Sequence, residues 1–450
     1  MKKTLLLLFS VISSAAISQE HFSGINTSRR VGLLNANINP AELINLSNTY
    51  EVNVFNVSGN IANNKMTFGE LVKGGDDFEQ KLFAGSESLN MRVDAEILGP
   101  AFAYKMEKWA FGITTAAKVK ASLVNINTTL GNAVTNGGID NISEAYNILA
   151  SENQRATGTS WGEIGFVAAR EIFKNDQNHI SAGITLKLLF PGTYANMGAS
   201  RFEGTIDNDL GNVTLSDASA QVNFAYSGSL AGDFSESDNF TEFFAGGLNG
   251  FSTDIGFNYQ WKRVDEESYR VNTGLAIRNL GSMTFKDDNN RSTNYDFEIK
   301  PNEEPLNLNQ FENAESVSEV ENILIQSGYL EDEPNQIGTD FKVKLPALLS
   351  AYADVNFYGN WFATGFVQQK INEDNDNDQI VVQNIISLTP RYAKGFFEAY
   401  APLAHNEISG FTAGIGFRLG GFFIGSGSVI SAAIGDTNQA DGYIGYRIGF

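Results

Sequence analysis

The chain has 450 residues, with 44 glycines and 33 phenylalanines against 9 prolines, no cysteine, and a formal net charge of −21. Without cysteine there is no lipoprotein anchor, disulfide framework or thiolate metal site, and the acidic balance argues against nucleic acid, whose phosphates need a basic surface. So much glycine and aromatic residue excludes disorder and suits many strands on a curved sheet.

Residues 1–18 read as a signal peptide: Lys2 and Lys3 form a basic start, Leu5 to Ile12 an apolar stretch, and Ala16-Ile17-Ser18 a cleavage site. The apolar stretch is too short to cross a bilayer as a helix, and no later one is long and uncharged enough. Residues 19–47 show no strand pattern and are expected in the periplasm or inside a lumen, as a plug or hatch. From residue 48 to 450 period-two alternation dominates, the mark of strands with one apolar and one polar face.

In chain order, Trp109, Phe111 and Ile113 oppose Ala110, Gly112 and Thr114, and Ile180, Ala182, Ile184 and Leu186 oppose Ser181, Gly183, Thr185 and Lys187. From Phe251 to Lys262 the apolar face carries Phe251, Ile255, Phe257, Tyr259 and Trp261, and the other carries Ser252, Asp254, Gly256, Asn258 and Gln260. Tyr269, Val271, Leu275 and Ile277 oppose Arg270, Asn272, Gly274 and Arg278, and Phe411, Ile415 and Phe417 oppose Thr412, Gly416 and Arg418. A soluble sandwich alternates too, but these runs last about 10–13 residues, the length of a tilted membrane strand, not the usual 5–6. Aromatics near the run ends (Trp109, Tyr259, Trp261, Trp361, Tyr392) match an interfacial girdle. The polar face carries glycine and isolated charges, as a lumen does.

Strands are expected at 48–60, 87–105, 109–121, 160–172, 178–190, 197–206, 213–226, 250–262, 267–280, 342–357, 360–371, 379–390, 394–402, 409–419, 421–432 and 441–450. The pair 197–206 and 213–226 reads either as wall or as a hairpin above it, so the fold class is all-β, a transmembrane antiparallel barrel of 14–16 strands. With the last strand running down to the periplasm, short turns fall at Met106–Lys108, Phe173–Asn178, Arg263–Glu267, Tyr358–Asn360, Pro390–Gly395 and Leu419–Gly421. Long loops (61–86, 122–159, 227–249, 281–341 and the shorter 372–378) then fall outside, the usual barrel asymmetry. Helices are expected near Asn313–Gln326, with Gly328 as its stop, and around Ile142–Ser151.

Parity points Arg92, Asp94, Glu96, Asp254 and Arg270 into the lumen, together with Arg278, Asp354, Arg418 and Arg447, either to pair across it or to line a path. It turns Phe257 to lipid, so arginine there should be costly and the same change at Gly256 or Asn258 milder. Asp374, Asp376 and Asp378 imitate the start of a calcium loop, but Gln379 and Ile385 stand where Gly and Glu are needed, so a solvated acidic loop is favoured. The histidines are His21, His179 and His405; His405 has Ser409 nearby, but no Gly-x-Ser-x-Gly elbow occurs, and the chain reads as a non-enzyme without cofactor or metal.

Ile444, Tyr446, Ile448 and Phe450 share one face of the last run. With Tyr446, Ile448 and the final Phe450, this run resembles the signal read by the barrel assembly machinery, which implies that machinery as a partner in biogenesis. Gly24-Ile25-Asn26, the run Leu34 to Ala41, Leu345-Pro346 and Gly421 to Ser426 resemble an uncharacterised outer-membrane barrel family of Bacteroidota. Asn39-Pro40-Ala41 also resembles the hatch of long-chain fatty-acid transporter barrels, which implies a lumen plug. The expected function is a gated or plugged outer-membrane transporter for a hydrophobic or small solute. The alternative is a scaffolding barrel tied to surface assembly, secretion or motility machinery. Outer-membrane lipid is the expected surrounding, and a hydrophobic ligand or protein partner stays open.

Overall fold

The alternating runs fold into one antiparallel sheet that closes on itself. The computed structural model describes residues 21–28, 32–73, 78–135, 145–209, 211–232, 243–264, 268–331, 340–435 and 437–450; the expected signal peptide lies outside them. Strand β1 (Tyr50–Asn63) is followed by β2 (Leu89–Leu98) and β3 (Ala101–Met106), then β4 (Trp109–Ile126), β5 (Tyr146–Ala150), β6 (Gln154–Lys174) and the 32-residue β7 (Asn178–Asp209). Next come β8 (Asn212–Ser227), β9 (Gly250–Lys262), β10 (Tyr269–Phe285), β11 (Arg291–Ile299), β12 (Leu306–Asn307) and β13 (Leu330–Glu331). The remainder are β14 (Phe341–Lys344), β15 (Leu348–Tyr358), β16 (Trp361–Lys370), β17 (Ile385–Lys394), β18 (Phe397–Tyr400) and β19 (Leu403–Asn406). Then follow β20 (Gly410–Ala413), β21 (Ile415–Leu419), β22 (Phe422–Ser426) and β23 (Gln439–Gly449).

The pairings run β1, β2 with β3, β4, β6, β7, β9, β10, β14 with β15, β16, β17, β18 with β19, β20 with β21, β22 and β23, fourteen staves in all. The ring closes between β23 and β1, paired from Ala62 opposite Gln439 to Glu51 opposite Gly449 with one bulge between Asn53 and Phe55, and with Phe450 and Tyr50 exchanging backbone bonds below. Closure leaves the wall no edge to expose to lipid. Between β2 and β3, where Pro100 has no N–H to donate, the Asn53 side-chain amide donates to the Gly99 carbonyl at 3.0 Å.

The molecule is inside out. On β9, Phe251 and Phe257 are 63% and 57% exposed, while Asp254 and Asn258 on the opposite face are 1% and 2% exposed. Trp109, Phe111, Ile184, Leu275, Phe417 and Ile424 are likewise exposed on other staves. A sheet with aromatic and aliphatic side chains outside and hydrogen-bonded polar groups inside suits a hydrocarbon surrounding, since water would reward the reverse.

Above the wall stands a lobe. The upper half of β7 continues past the ring to pair with β8, and β8 pairs with β11, so 178–190 and 197–206 are one strand and 213–226 lies above the barrel. Phe224, Tyr295, Phe297, Leu308 and Phe311 form its core. Its helix Val317–Ser327 starts at Ser316, whose hydroxyl accepts from the Glu319 amide at 3.1 Å, and ends at Gly328 with φ 80°.

Several expectations are corrected. Residues 146–150 of the expected helix Ile142–Ser151 are strand β5, paired with β7, and 142–144 lie outside the described residues. The strand expected at 379–390 begins only at Ile385, and the one at 421–432 stops at Ser426 and becomes the helix Val429–Ile434. The turn expected at Pro390–Gly395 is shorter, because β17 runs to Lys394 and Gly395, at φ 57°, turns the chain.

Candidate functional site

Residues 21–28 and 32–47 lie inside the ring and are tied to it around most of its circumference. Asn39 opens a 3-10 turn, Pro40–Asn45, its Oδ1 accepting from the Ala41 amide at 3.0 Å and its Nδ2 donating to the Phe257 carbonyl at 2.8 Å. Proline suits this first position, where no donor is required. Three lumen-face glycines make the seat. A Cβ on Gly183 would come within 2.5 Å of the Pro40–Ala41 peptide, one on Gly256 within 2.0 Å of Asn39 Oδ1, and one on Gly274 within 2.5 Å of Asn39 Nδ2.

Beside this motif, the buried Glu42 carboxylate accepts from Asn45 at 2.7 Å, Asn272 at 2.8 Å, Asn258 at 2.9 Å and the Tyr352 hydroxyl. Neutral donors thus satisfy a charge that burial would otherwise penalise. Farther round, Ser181 donates to the Ala41 carbonyl at 3.2 Å, Arg391 to the Gly24 carbonyl at 2.8 Å and Ser28 to Glu398 at 3.0 Å. The Leu33 amide meets Glu51 at 2.6 Å, and the Tyr443 hydroxyl donates to the Ser23 carbonyl. Phe22 packs on Phe423 and Tyr443, at ring centroid distances of 6.3 and 5.7 Å.

The upper mouth is closed by a second segment. Between β16 and β17, residues 371–378 stay largely exposed at the rim while 379–383 fold inward and are buried. Arg155, on β6, donates to the carbonyls of Asp374 at 2.9 Å, Asn377 at 3.0 Å and Gln379 at 2.9 Å. Asp374 takes Arg92 at 3.1 Å and Lys370 at 2.8 Å; Asn153 donates to the Asn375 carbonyl at 2.8 Å. Ile380 is buried among Trp161, Leu189, Tyr194, Phe341 and Val343. The acidic run 372–378 thus stays largely exposed at the rim, as expected of a solvated loop, and the buried residues 379–383 that follow it form the inner end of a constriction. Its carboxylates diverge, since Asp376 meets Lys344 at 3.2 Å instead of joining Asp374. Among the described residues no three potential ligands converge on a metal position.

Plug and inward loop leave between them a cavity of about 120 Å³. Its wall is apolar at Leu98, Trp161, Leu345 and Phe366 and polar at His21, Lys118, Glu163 and Arg278. The wall charges pair strand to strand: Lys118 with Glu96 and Glu163, both at 3.3 Å, Lys120 with Asp94 at 2.8 Å, and Lys187 with Asp254 at 2.7 Å. His21, from the plug, reaches Glu96 at 3.6 Å.

Of the other residues that parity placed inside, Arg278 spans Ser350, the Asn37 carbonyl and Gln368, and Asp354 accepts from Thr364 and Tyr269. Arg418 meets Glu398 at 3.1 Å, and Arg447 meets Glu51. Arg270 sits at the lower rim instead, bonded to Asn356 and the Phe357 carbonyl, because a bulge between Tyr269 and Val271 turns Tyr269 inward. Tyr446, Ile448 and Phe450 project from the outer face of β23 and beyond its end. His405 is on the outer face of β19 while Ser409 donates inward to Gln439, and His179 pairs with Glu171 at 3.2 Å. Sequence reasoning missed Glu42, Arg155 and Lys118; the partners of Glu42 and Arg155 come from far along the chain, whereas Lys118 lies on the same inward face as Ala110, Gly112 and Thr114 and could have been found by extending their alternation.

The sequence profile described as "Family of unknown function (DUF5723)" matches residues 40–427. No curated protein sequence matches the chain significantly. Among solved structures, the toluene transporter TodX of P. putida superposes with TM-score 0.42 at 10% identity, covering 93% of this chain and 94% of that one. The toluene transporter TbuX of Ralstonia pickettii gives TM-score 0.40 at 11% identity, covering 95% and 96%. A Pseudomonas aeruginosa FadL homologue gives 0.29 at 10% identity, covering 94% and 95%. At such scores the barrel assignment rests on the pairings described above.

Proposed function

The chain belongs to the family of unknown function DUF5723, and from its geometry we propose an outer-membrane barrel that passes a small solute with apolar and polar parts through a lumen gated at both ends. One observation carries this reading. The lysines and acids around the cavity are paired with one another, Lys118 with Glu96 and Glu163 and Lys187 with Asp254, so withdrawing the plug leaves those charges paired and takes from Arg278 one of its acceptors, the Asn37 carbonyl. A lumen whose charges were answered only by the plug could not empty so cheaply. The mixed cavity lining supports a small amphipathic solute over a bare ion.

Proteoliposome swelling or single-channel recording tests the reading. The wild-type barrel should be mostly shut. Removing residues 19–47 and replacing 373–378 with a Gly-Ser linker should each raise conductance, and the two together most. A folded double variant that still passes no solute would sink it. A second reading, a scaffold for surface assembly, is supported by the separately cored external lobe. It requires lobe-deleted barrels to lose a bound partner while conductance stays as it was.

A further inference from the structure

At the lower end the plug does not fill the ring. Below Ser28, Ser47 and Asn48 lies a bowl of about 490 Å³, walled by Tyr269, Phe362 and three arginines, Arg391, Arg418 and Arg447. Its floor lies toward the short turns, at Gly395, and therefore toward the periplasm.

The acids beside these arginines are each already ion-paired with at least one of them. Glu398 takes Arg391 at 2.9 Å, Arg418 at 3.1 Å and Ser28 at 3.0 Å. Asp354 takes Thr364 at 2.6 Å, Tyr269 and the more distant Arg391. Glu51 takes the Leu33 amide at 2.6 Å and Arg447. After those bonds, donors remain. Arg418 is only 4% exposed, yet its Nη2 has no acceptor, and neither has the buried Nε of Arg447. The hydroxyls of Ser47 and Ser268 and the amide of Asn48 add further donors to the wall. A recessed wall with surplus guanidinium donors calls for an acceptor with several oxygens, which the arginine fork matches in geometry.

We infer that this bowl is a binding site for a small periplasmic oxyanion, a carboxylate or a phosphate, held by Arg418 and Arg447. It lies on the opposite side of the plug from the cavity, and its existence does not depend on the barrel conducting.

The full chain, purified in detergent, is titrated calorimetrically with inorganic phosphate and separately with succinate at constant ionic strength. At least one anion should bind saturably at one site. Affinity should fall about tenfold or more in Arg418→Gln and in Arg447→Gln, the loss expected for one charge-assisted forked contact. It should be unchanged in Arg170→Gln, whose guanidinium lies over Trp109 on the outer surface. Phosphate alone binding assigns a tetrahedral group, and succinate alone a carboxylate. Heat-modifiable gel migration reports folding. Should Arg418→Gln misfold, Arg447→Lys, which keeps a charge beside Glu51 but loses the fork, must also bind weakly. Failure of both anions to bind the wild-type chain, or wild-type affinity in the two Arg447 variants, overturns the site.

Discussion

At Gly256 and Phe257 neighbouring side chains answer to different surroundings. Phe257→Arg should destabilise the barrel by about 2–4 kcal/mol if it lies near the bilayer midplane. Gly256→Arg, expected from alternation to be the milder change, meets Asn39 within 2.0 Å at its first added carbon and should expel the plug. Protease access to residues 21–47 in the refolded variants checks this, and equal protection in both would refute the seat. Alternation shows which way a residue faces but not what waits there, since the plug comes from more than 200 residues away. Arg155 teaches the same lesson. It belonged to a segment read as loop, whereas β6 carries it to three loop carbonyls. Arg155→Leu should free residues 371–384, seen as faster cleavage there and larger single-channel current. In the lobe, Tyr226 and Tyr295 both donate to Glu321. Burial, with the Glu321 carboxylate beside it, pushes the Tyr295 phenol up to about 12 and raises that of Tyr226 as well. Both lie above the ordinary value near 10, so the lobe keeps this stabilisation below about pH 10 and loses it as pH rises through the folded values. Limited proteolysis of the lobe should accelerate over that range, and a flat profile would contradict it.

Among elements, strands were the most legible and inward loops the least. A run such as β9 declares itself because lipid on one side and polar contacts on the other impose a period of two over its whole length. The 371–384 segment carries no such period. Its acidic first half stays largely in solvent, and Arg92 and Arg155 from other strands anchor it at the point where 379–383 turn inward. Residues 427–432 deceived for a related reason, since Ser428 to Ile434 is apolar enough for a strand. Yet Asp441 gathers Ser426, the Gly427 amide and Ser428 and winds the chain into the helix that follows. Asp441→Ala should loosen that turn, and hydrogen exchange at 427–434 should rise well above that of β22. Unchanged protection would show that the helix holds without it.

The whole molecule fixes an orientation that can be checked in intact cells. A tag placed in the Gly359–Asn360 turn should be reached by antibody only after the outer membrane is permeabilised, whereas one beside Glu303 in the lobe should be reached at once. The reverse pattern would invert the barrel. Strand number was legible only as a pair of even totals, because β7 runs from the ring into the lobe through 191–196, where every residue is buried and the alternation lapses although the strand continues. The plug adds a constraint in time. Two of its residues near the chain's start are gripped by the last staves to be made, Phe22 by Phe423 and Tyr443, and Ser23 by the Tyr443 hydroxyl. The head of the chain thus stays loose until the tail arrives, and a product cut short during synthesis would present an unsecured amino-terminal end to periplasmic proteases, a built-in proof that the polypeptide was finished.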